Sequence, residues 1–298
     1  MGVALGLGAA LSWGLADYFA AVASRSIGAL RVVLGFHLAA LIPLTGLVLA
    51  TDALARVSVA QVALFVLIGA IGWLSYLAFY GALAIGPISV LSPIVSGYAV
   101  VTVLLAVVIG GNRLSLIQAT AVGITIAGTM FASADLRQLA KMKLEGRSAL
   151  GFVLAVAAMA LLGAFVFGVS YFRPQIGWLA PIFMARGFAA AFVLGHILAA
   201  RRGRPEESPR PSSGRTAAEQ RKLIGIMVVL ALLDTSGYVC FNVGVGHAAT
   251  AIVAAASAPY AIVPIVMGVS LLRERPKPAQ WVGIGLVIGG VIILGAVG

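Results

Sequence analysis

Long apolar runs separated by short polar breaks dominate this chain, and the lengths of the runs decide what they are. Ten stretches, 2–23, 30–50, 60–82, 87–109, 116–132, 149–171, 178–199, 223–245, 249–272 and 279–297, consist almost wholly of apolar and small residues. A helix rises 1.5 Å per residue, so about 20 such residues cross a hydrocarbon core of about 30 Å. The pattern predicts an all-α polytopic membrane protein with ten transmembrane helices. The first run has no basic leader and no small-residue cleavage site before a polar domain, so it is expected to be a retained span and not a removable signal.

The ten runs divide into two fives. From Tyr76 to Gly128 the sequence returns without a gap 162 residues later, pairing Tyr76 with Tyr238, Phe79 with Phe241, Tyr98 with Tyr260, Arg113 with Arg275, Gln118 with Gln280, Gly123 with Gly285 and Gly128 with Gly290. Such self-similarity marks a duplicated structural unit. The expected organisation is a first five-helix repeat at 1–133, a cytoplasmic linker at 134–148 and a second five-helix repeat at 149–298. A unit with an odd number of crossings enters the membrane from opposite sides in its two copies, so the repeats are predicted to be inverted. In secondary transporters of this kind the substrate sits between the repeats near the midplane. The linker mixes charges with Leu136, Leu139, Met142 and Leu144, and reads either as a solvated connector or as a short surface helix. Residues 200–222, rich in Arg, Glu, Pro and Ser, cannot bury a core and are expected to be disordered.

Composition agrees with a bilayer environment: 61% of residues are hydrophobic, 10% are charged and the mean hydropathy is +1.10. Soluble domains carry about 25% charged residues. The net charge of +11 lies in the breaks between apolar runs, not in a folded basic surface, and this excludes a nucleic-acid partner. Counting Lys and Arg on alternate sides gives sixteen against three, with Arg186 inside a span. The positive-inside rule then places the basic loops in the cytoplasm and both termini outside. The one cysteine, Cys240, excludes an intramolecular disulfide and any multi-cysteine metal site.

Polar residues within the runs are the candidates for chemistry, because an ionisable side chain at the centre of a span costs about 2.5–3.5 kcal/mol. Asp17 in span 1 and His37 in span 2 lie at similar depth, where they could bind a cation or exchange a proton. In span 8, Asp234, Tyr238 and Asn242 follow at i, i+4 and i+8 on one helix face, and span 3 answers with Trp73, Tyr76 and Tyr80. These faces correspond through the repeat and would wall a cavity with a few oriented polar groups; an aromatic stripe also serves ordinary helix packing. Arg186 in span 7 is expected to pair with a carboxylate, Asp234 being nearest in depth. Trp13, Tyr98 and Tyr260 complete the candidate substrate-binding or coupling set. Gly285 and Gly289 read as a close-packing pair of the small-xxx-small kind.

Trp13-Gly14, Leu30-Arg31, the run YAVVTVLLAV from Tyr98, and the turns Asn112-Arg113-Leu114 and Arg273-Glu274-Arg275, followed by Gln118 or Gln280 and spaced glycines, resemble the drug/metabolite transporter superfamily, specifically its tandem EamA-type ten-helix members. The likeness spans almost the whole chain. It implies a carrier that moves small metabolites, amino acids or drugs, often outward, in a plasma or inner cell membrane. Three departures stand out. The proline that the family carries after the aromatic of spans 4 and 9 is Ala99 and Ala261, which moves any helix break to Pro93, Pro259 or Pro264. The glutamate of the first turn is Asn112. The family is drawn with both termini in the cytoplasm, opposite to the charge count. In the small multidrug resistance branch of the superfamily an acid in the first helix is the coupling site, and Asp17 is similar in placement only.

Enzymatic readings find little support. There is no His-x-x-x-His pair, no phosphate-binding glycine loop and no nucleophile to complete an Asp17–His37 acid/base pair, and no cofactor or metal is expected. With no nucleotide-binding motif either, the expected partners are a small-molecule substrate, the lipid bilayer and a coupling proton or an exchanged substrate, for a monomer or a homodimer. Flippase, intramembrane enzyme and nontransporting scaffold stand as alternatives.

Overall fold

The structure, a computed structural model, describes residues 1–85, 91, 94–133, 146–202, 216–263 and 278–297. Among these residues there is no strand, and ten helices carry the architecture: α1 (Gly2–Ile27), α2 (Ala29–Thr51), α3 (Val59–Ile85), α4 (Tyr98–Val108), α5 (Leu116–Ser133), α6 (Gly146–Tyr171), α7 (Leu179–Arg202), α8 (Ala217–Gly244), α9 (Thr250–Ser257) and α10 (Pro278–Val297). Seven of the described helices are long and apolar enough to cross a membrane, and the shorter apolar stretches Ile94–Val108, Leu116–Ala132 and Thr250–Ile262 fall where spans 4, 5 and 9 are expected. Large apolar side chains face outward along these helices, among them Leu49 at 77% and Ile42 at 76% exposure. In water that surface would drive aggregation; against acyl chains it is the expected exterior, with the backbone polar groups satisfied inside each helix.

Two repeats, α1–α5 and α6–α10, build the bundle by exchange. The first helix of each repeat packs on the third helix of the other, α1 on α8 and α6 on α3, and likewise on the fourth, α1 on α9 and α6 on α4. Second and third helices cross over in the same way, α2 against α8 and α7 against α3, while α4 meets α9 and α5 meets α10. Each contact therefore has a partner generated by swapping the repeats. The tyrosines show it at atomic scale: Tyr76 Oη lies 3.3 Å from Tyr238 Oη, and the Tyr98 and Tyr260 rings are 5.7 Å apart. Residues 162 apart in sequence touch each other only where a pseudo-twofold axis passes between them.

Glycine contacts extend the correspondence to the first helices. A side chain on Gly14 would strike Tyr260 O and Val263, and one on Gly163 would strike Tyr98 O and Val101. Since those targets are repeat equivalents, Gly14 and Gly163 are equivalent too, and the difference of their numbers, 149, relates α1 to α6. The α5–α10 contact obeys the same rule. An added Cβ on Gly128 would lie 2.9 Å from Gly283 O, and one on Gly290 would lie 3.1 Å from Ala121 O. Gly285 and Gly289, expected to be the packing pair, have nothing within 4 Å of such a Cβ. Their side of α10 is turned away from α5, and the close approach is made by Gly283 and Gly290 instead.

Helix ends are set by local chemistry. Ser58, Ser115 and Thr216 each cap a helix that has Gln61, Gln118 or Glu219 three residues on, with the side chain of each partner returning to the cap backbone N–H. This is the capping box, which satisfies two orphan donors at once. Gln118 thereby acquires a reason beyond its repeat, and its Nε2 also donates to Val297 O at 2.9 Å. The expectation of disorder over 200–222 is corrected at both edges: Thr216 caps α8, whose first residues are 217–222, and 200–202 end α7. Residues 203–215 lie outside the described residues, as do 134–145 of the linker, Pro93, Pro264 and the Arg273-Glu274-Arg275 turn. At the other end of the chain, the break expected between spans 1 and 2 contracts to Gly28, whose φ of 84° is left-handed and suits glycine.

Helix breaks precede both axial tyrosines. The helical stretch that starts at Ile94 has a turn at Gly97 before Tyr98, and in the second repeat α9 tightens into a 3₁₀ helix, Ala258–Ile262, containing Pro259 before Tyr260. Proline has no N–H to continue the α ladder, so Pro259 is a sufficient cause of the change.

Candidate functional site

Side chains from six helical segments converge on the axis. Trp13 and Asp17 share a face of α1 at i and i+4, as do Leu162 and Val166 on α6 and Asp234 and Tyr238 on α8. Tyr76 and Phe79 of α3, Tyr98 at the start of α4 and Tyr260 of the 3₁₀ turn close the remaining walls. Together they enclose a cavity whose volume, taken over the positions open to the centre of a water molecule, is about 40 Å³. That suffices for a few waters, whereas sites for drug-sized ligands run to about 300–1,000 Å³. The cavity is thus small for a ligand of that size.

A second, tighter cavity lies behind Tyr76 and Tyr238, which serve both as a common wall. His37, Arg186, Phe165 and Ile182 line it, and it has no room for water. Asp234 spans the wall. Its Oδ2 pairs with Arg186 Nη2, its Oδ1 accepts a hydrogen bond from Tyr76 Oη at 3.2 Å, and its backbone carbonyl accepts from Trp13 Nε1 at 3.3 Å. Arg186, 2% exposed, is ion-paired with Asp234 as their depths in spans 7 and 8 lead one to expect. Its guanidinium carbon also lies 5.3 Å from the Tyr238 ring centroid and 5.8 Å from that of Phe36, both in cation–π range. Among the described residues Nε and Nη1 of Arg186 have no hydrogen-bond partner.

Asp17 and His37 are not neighbours, contrary to their common depth. Asp17 faces the first cavity with α1 packed on α8, and its Oδ2 is buried with no hydrogen-bond partner among the described residues. His37 lies on the far side of Tyr76, its ring 5.3 Å from the Tyr76 ring and 4.3 Å from Phe36, with neither nitrogen hydrogen-bonded to a described residue. Depth along two helices fixes only height, and the rotation of each helix about its own axis separated the pair.

Trp73 is also apart from both cavities. One turn nearer the start of α3 than Tyr76, it stacks on Phe192 at 5.7 Å and meets His196 edge-on, both on α7. Tyr80 is 2% exposed among Phe36, Tyr76 and Phe79. Asn242, fully buried, donates from Nδ2 to Tyr238 O at 3.0 Å and lines neither cavity. Tyr98 Oη shares a hydrogen bond with Ser257 Oγ at 2.7 Å. Sequence reasoning missed Phe79, Leu162 and Val166 as cavity residues. Phe79 was visible as a repeat landmark, but Leu162 and Val166 carry no sign in an apolar helix that distinguishes them from its other aliphatic residues.

Comparison with known proteins bears on the whole chain. The model of the EamA-like transporter family matches residues 1–134 and again residues 149–296. No protein with a curated description matches the sequence. Twenty-nine chains of solved structures match. One of them, described only as the crystal structure of a protein, superposes with a TM-score of 0.73 at 15% identity, covering 99% of this chain and 96% of its own. At that identity the likeness establishes the fold alone.

Proposed function

Because the chain belongs to the EamA-like transporter family, a family of membrane transporters, we propose that it is a secondary carrier whose transport site is the axial cavity bounded by Trp13, Asp17, Tyr76, Tyr98, Tyr238 and Tyr260. The observation that carries this reading is the meeting of repeat equivalents, Tyr76 with Tyr238 and Tyr98 with Tyr260, around a cavity that contains a carboxylate oxygen with no partner among the described residues. A pocket on the axis of two inverted repeats can be opened to either side by the same motion performed by one repeat or the other, which is the geometric basis of alternating access. Small metabolites, amino acids or drugs are the substrates, and export is the direction. Asp17 is the coupling or substrate-binding group, driven by a proton gradient or by exchange, and the basic loops and the 134–148 linker face the cytoplasm.

The test is a thermal-shift screen of metabolites on purified protein, with hits assayed for uptake into proteoliposomes in the presence and absence of a pH gradient. Saturable uptake of a hit, lost in Asp17→Asn, is the expected result. Hits that bind but never cross, or scrambling of lipids with no solute flux, would refute it.

A further inference from the structure

The cavity lies on a twofold axis, but its chemistry is not twofold. Applying the offset of 149 between α1 and α6, Trp13 corresponds to Leu162 and Asp17 to Val166, and all four line the cavity. Applying the offset of 162 between α3 and α8, Asp234 corresponds to Gly72. Both acids therefore stand on the α1–α8 side, and the equivalent α3–α6 side offers Leu162, Val166, Phe79 and Tyr76. One side of the cavity carries two acids, and the other carries none.

Hydrogen-bonding capacity is just as one-sided. Trp13 Nε1 is directed at Asp234 O, Tyr76 Oη at Asp234 and Tyr238, and Tyr98 Oη is engaged with Ser257. Among the described residues no Lys or Arg lines this cavity; Arg186 lines the second one and is held there by Asp234. Among the described residues Asp17 Oδ2 is a buried acceptor with no partner, and the Tyr260 hydroxyl also lines the cavity. A carboxylate or phosphate entering here would meet a like charge and, among the described lining residues, tyrosine hydroxyls but no cation to offset it. A neutral molecule brings no counter-charge for an ionised Asp17 in a low-dielectric site. A cation neutralises Asp17 and finds ring faces beside it.

From this asymmetry we infer that the substrate is an amphipathic organic monocation, an ammonium group on an apolar body, bound with its charge at Asp17 and its body against Leu162, Val166 and Phe79. The inference rests on the axial cavity being the transport site.

The experiment uses four probes of matched shape on the full-length protein in lipid nanodiscs: benzylamine, benzyltrimethylammonium, benzyl alcohol and benzoate, with binding read by calorimetry and uptake read in proteoliposomes. Both ammonium probes are expected to bind at least about tenfold more tightly than the alcohol or benzoate. Asp17→Asn removes that preference, and the double variant Asp17→Val with Val166→Asp, which carries the carboxylate to its equivalent position, restores it. Thermal unfolding at the wild-type temperature certifies each variant as folded, and the wild-type probe series decides the matter even if a variant does not fold. Equal binding of benzoate or benzyl alcohol, a preference that survives Asp17→Asn, or failure of both ammonium probes to bind at millimolar concentration would each overturn the inference. Selective ammonium binding without flux of any solute would instead sink the carrier reading and leave the site's charge selectivity standing.

Discussion

Removing one partner of the Arg186–Asp234 pair should be far worse than removing both. Arg186 is 2% exposed and Asp234 5%, so neither charge can turn to water when its partner disappears. In Arg186→Met the Asp234 carboxylate keeps one side-chain donor, Tyr76 Oη on Oδ1, while Oδ2 loses its only described partner. In Asp234→Leu the guanidinium loses Nη2's acceptor, with Nε and Nη1 already lacking one, and among the described residues retains only the Phe36 and Tyr238 rings. Stranding a buried charge in this way costs about 3–5 kcal/mol, whereas replacing both members by apolar groups of similar volume is often close to neutral. The double variant should therefore be at least about 2 kcal/mol more stable than the two single penalties would sum to. Reversible unfolding of all four proteins in mixed micelles, treated as a double-mutant cycle, measures that coupling. Single costs below about 1 kcal/mol, or penalties that add within about 0.5 kcal/mol, would refute the argument that this pair is dry and mutually dependent.

Two further outcomes follow from packing and capping. Gly128→Leu should destabilise the α5–α10 contact by about 1–3 kcal/mol, because a Cβ there already presses on Gly283 O, while Gly285→Leu, which meets open space, should change stability by no more than about 0.5 kcal/mol; melting temperatures in one detergent compare them. Thr216→Ala should cost about 1 kcal/mol locally and speed amide exchange at 217–220 without altering exchange in the middle of α8, which hydrogen-exchange mass spectrometry reads.

Hydropathy made the architecture legible, since the period and length of an apolar run answer directly to the thickness of a bilayer, and the tyrosines at 76, 98, 238 and 260 announced the duplication through their spacing alone. The axial tyrosines and the two aspartates were readable as site candidates for the same reason that made them conspicuous: polar groups are rare in spans. What the sequence left open was rotation. Asp17 and His37 share a depth but face different cavities, and Trp73 belongs to the same stripe as Tyr76 yet packs on α7, because a stripe fixes an angle about one helix and not which neighbour lies there. Gly285 and Gly289 misled in the same manner. Thr216 and Glu219 carried a plain start signal that the surrounding polar composition obscured, and Val166 could be named only after Gly14 and Gly163 had fixed the register between α1 and α6.

Exchange of first helices has a consequence for how the chain is made. With α1 seated on α8 and α9, and α6 on α3 and α4, neither five-helix half owns a closed interior, so a ribosome that has released only the first half has delivered a bundle still missing its central wedge. Severed between 134 and 145, the two pieces should be found by quality-control proteases when expressed singly and survive when expressed together, each serving as the other's template for insertion.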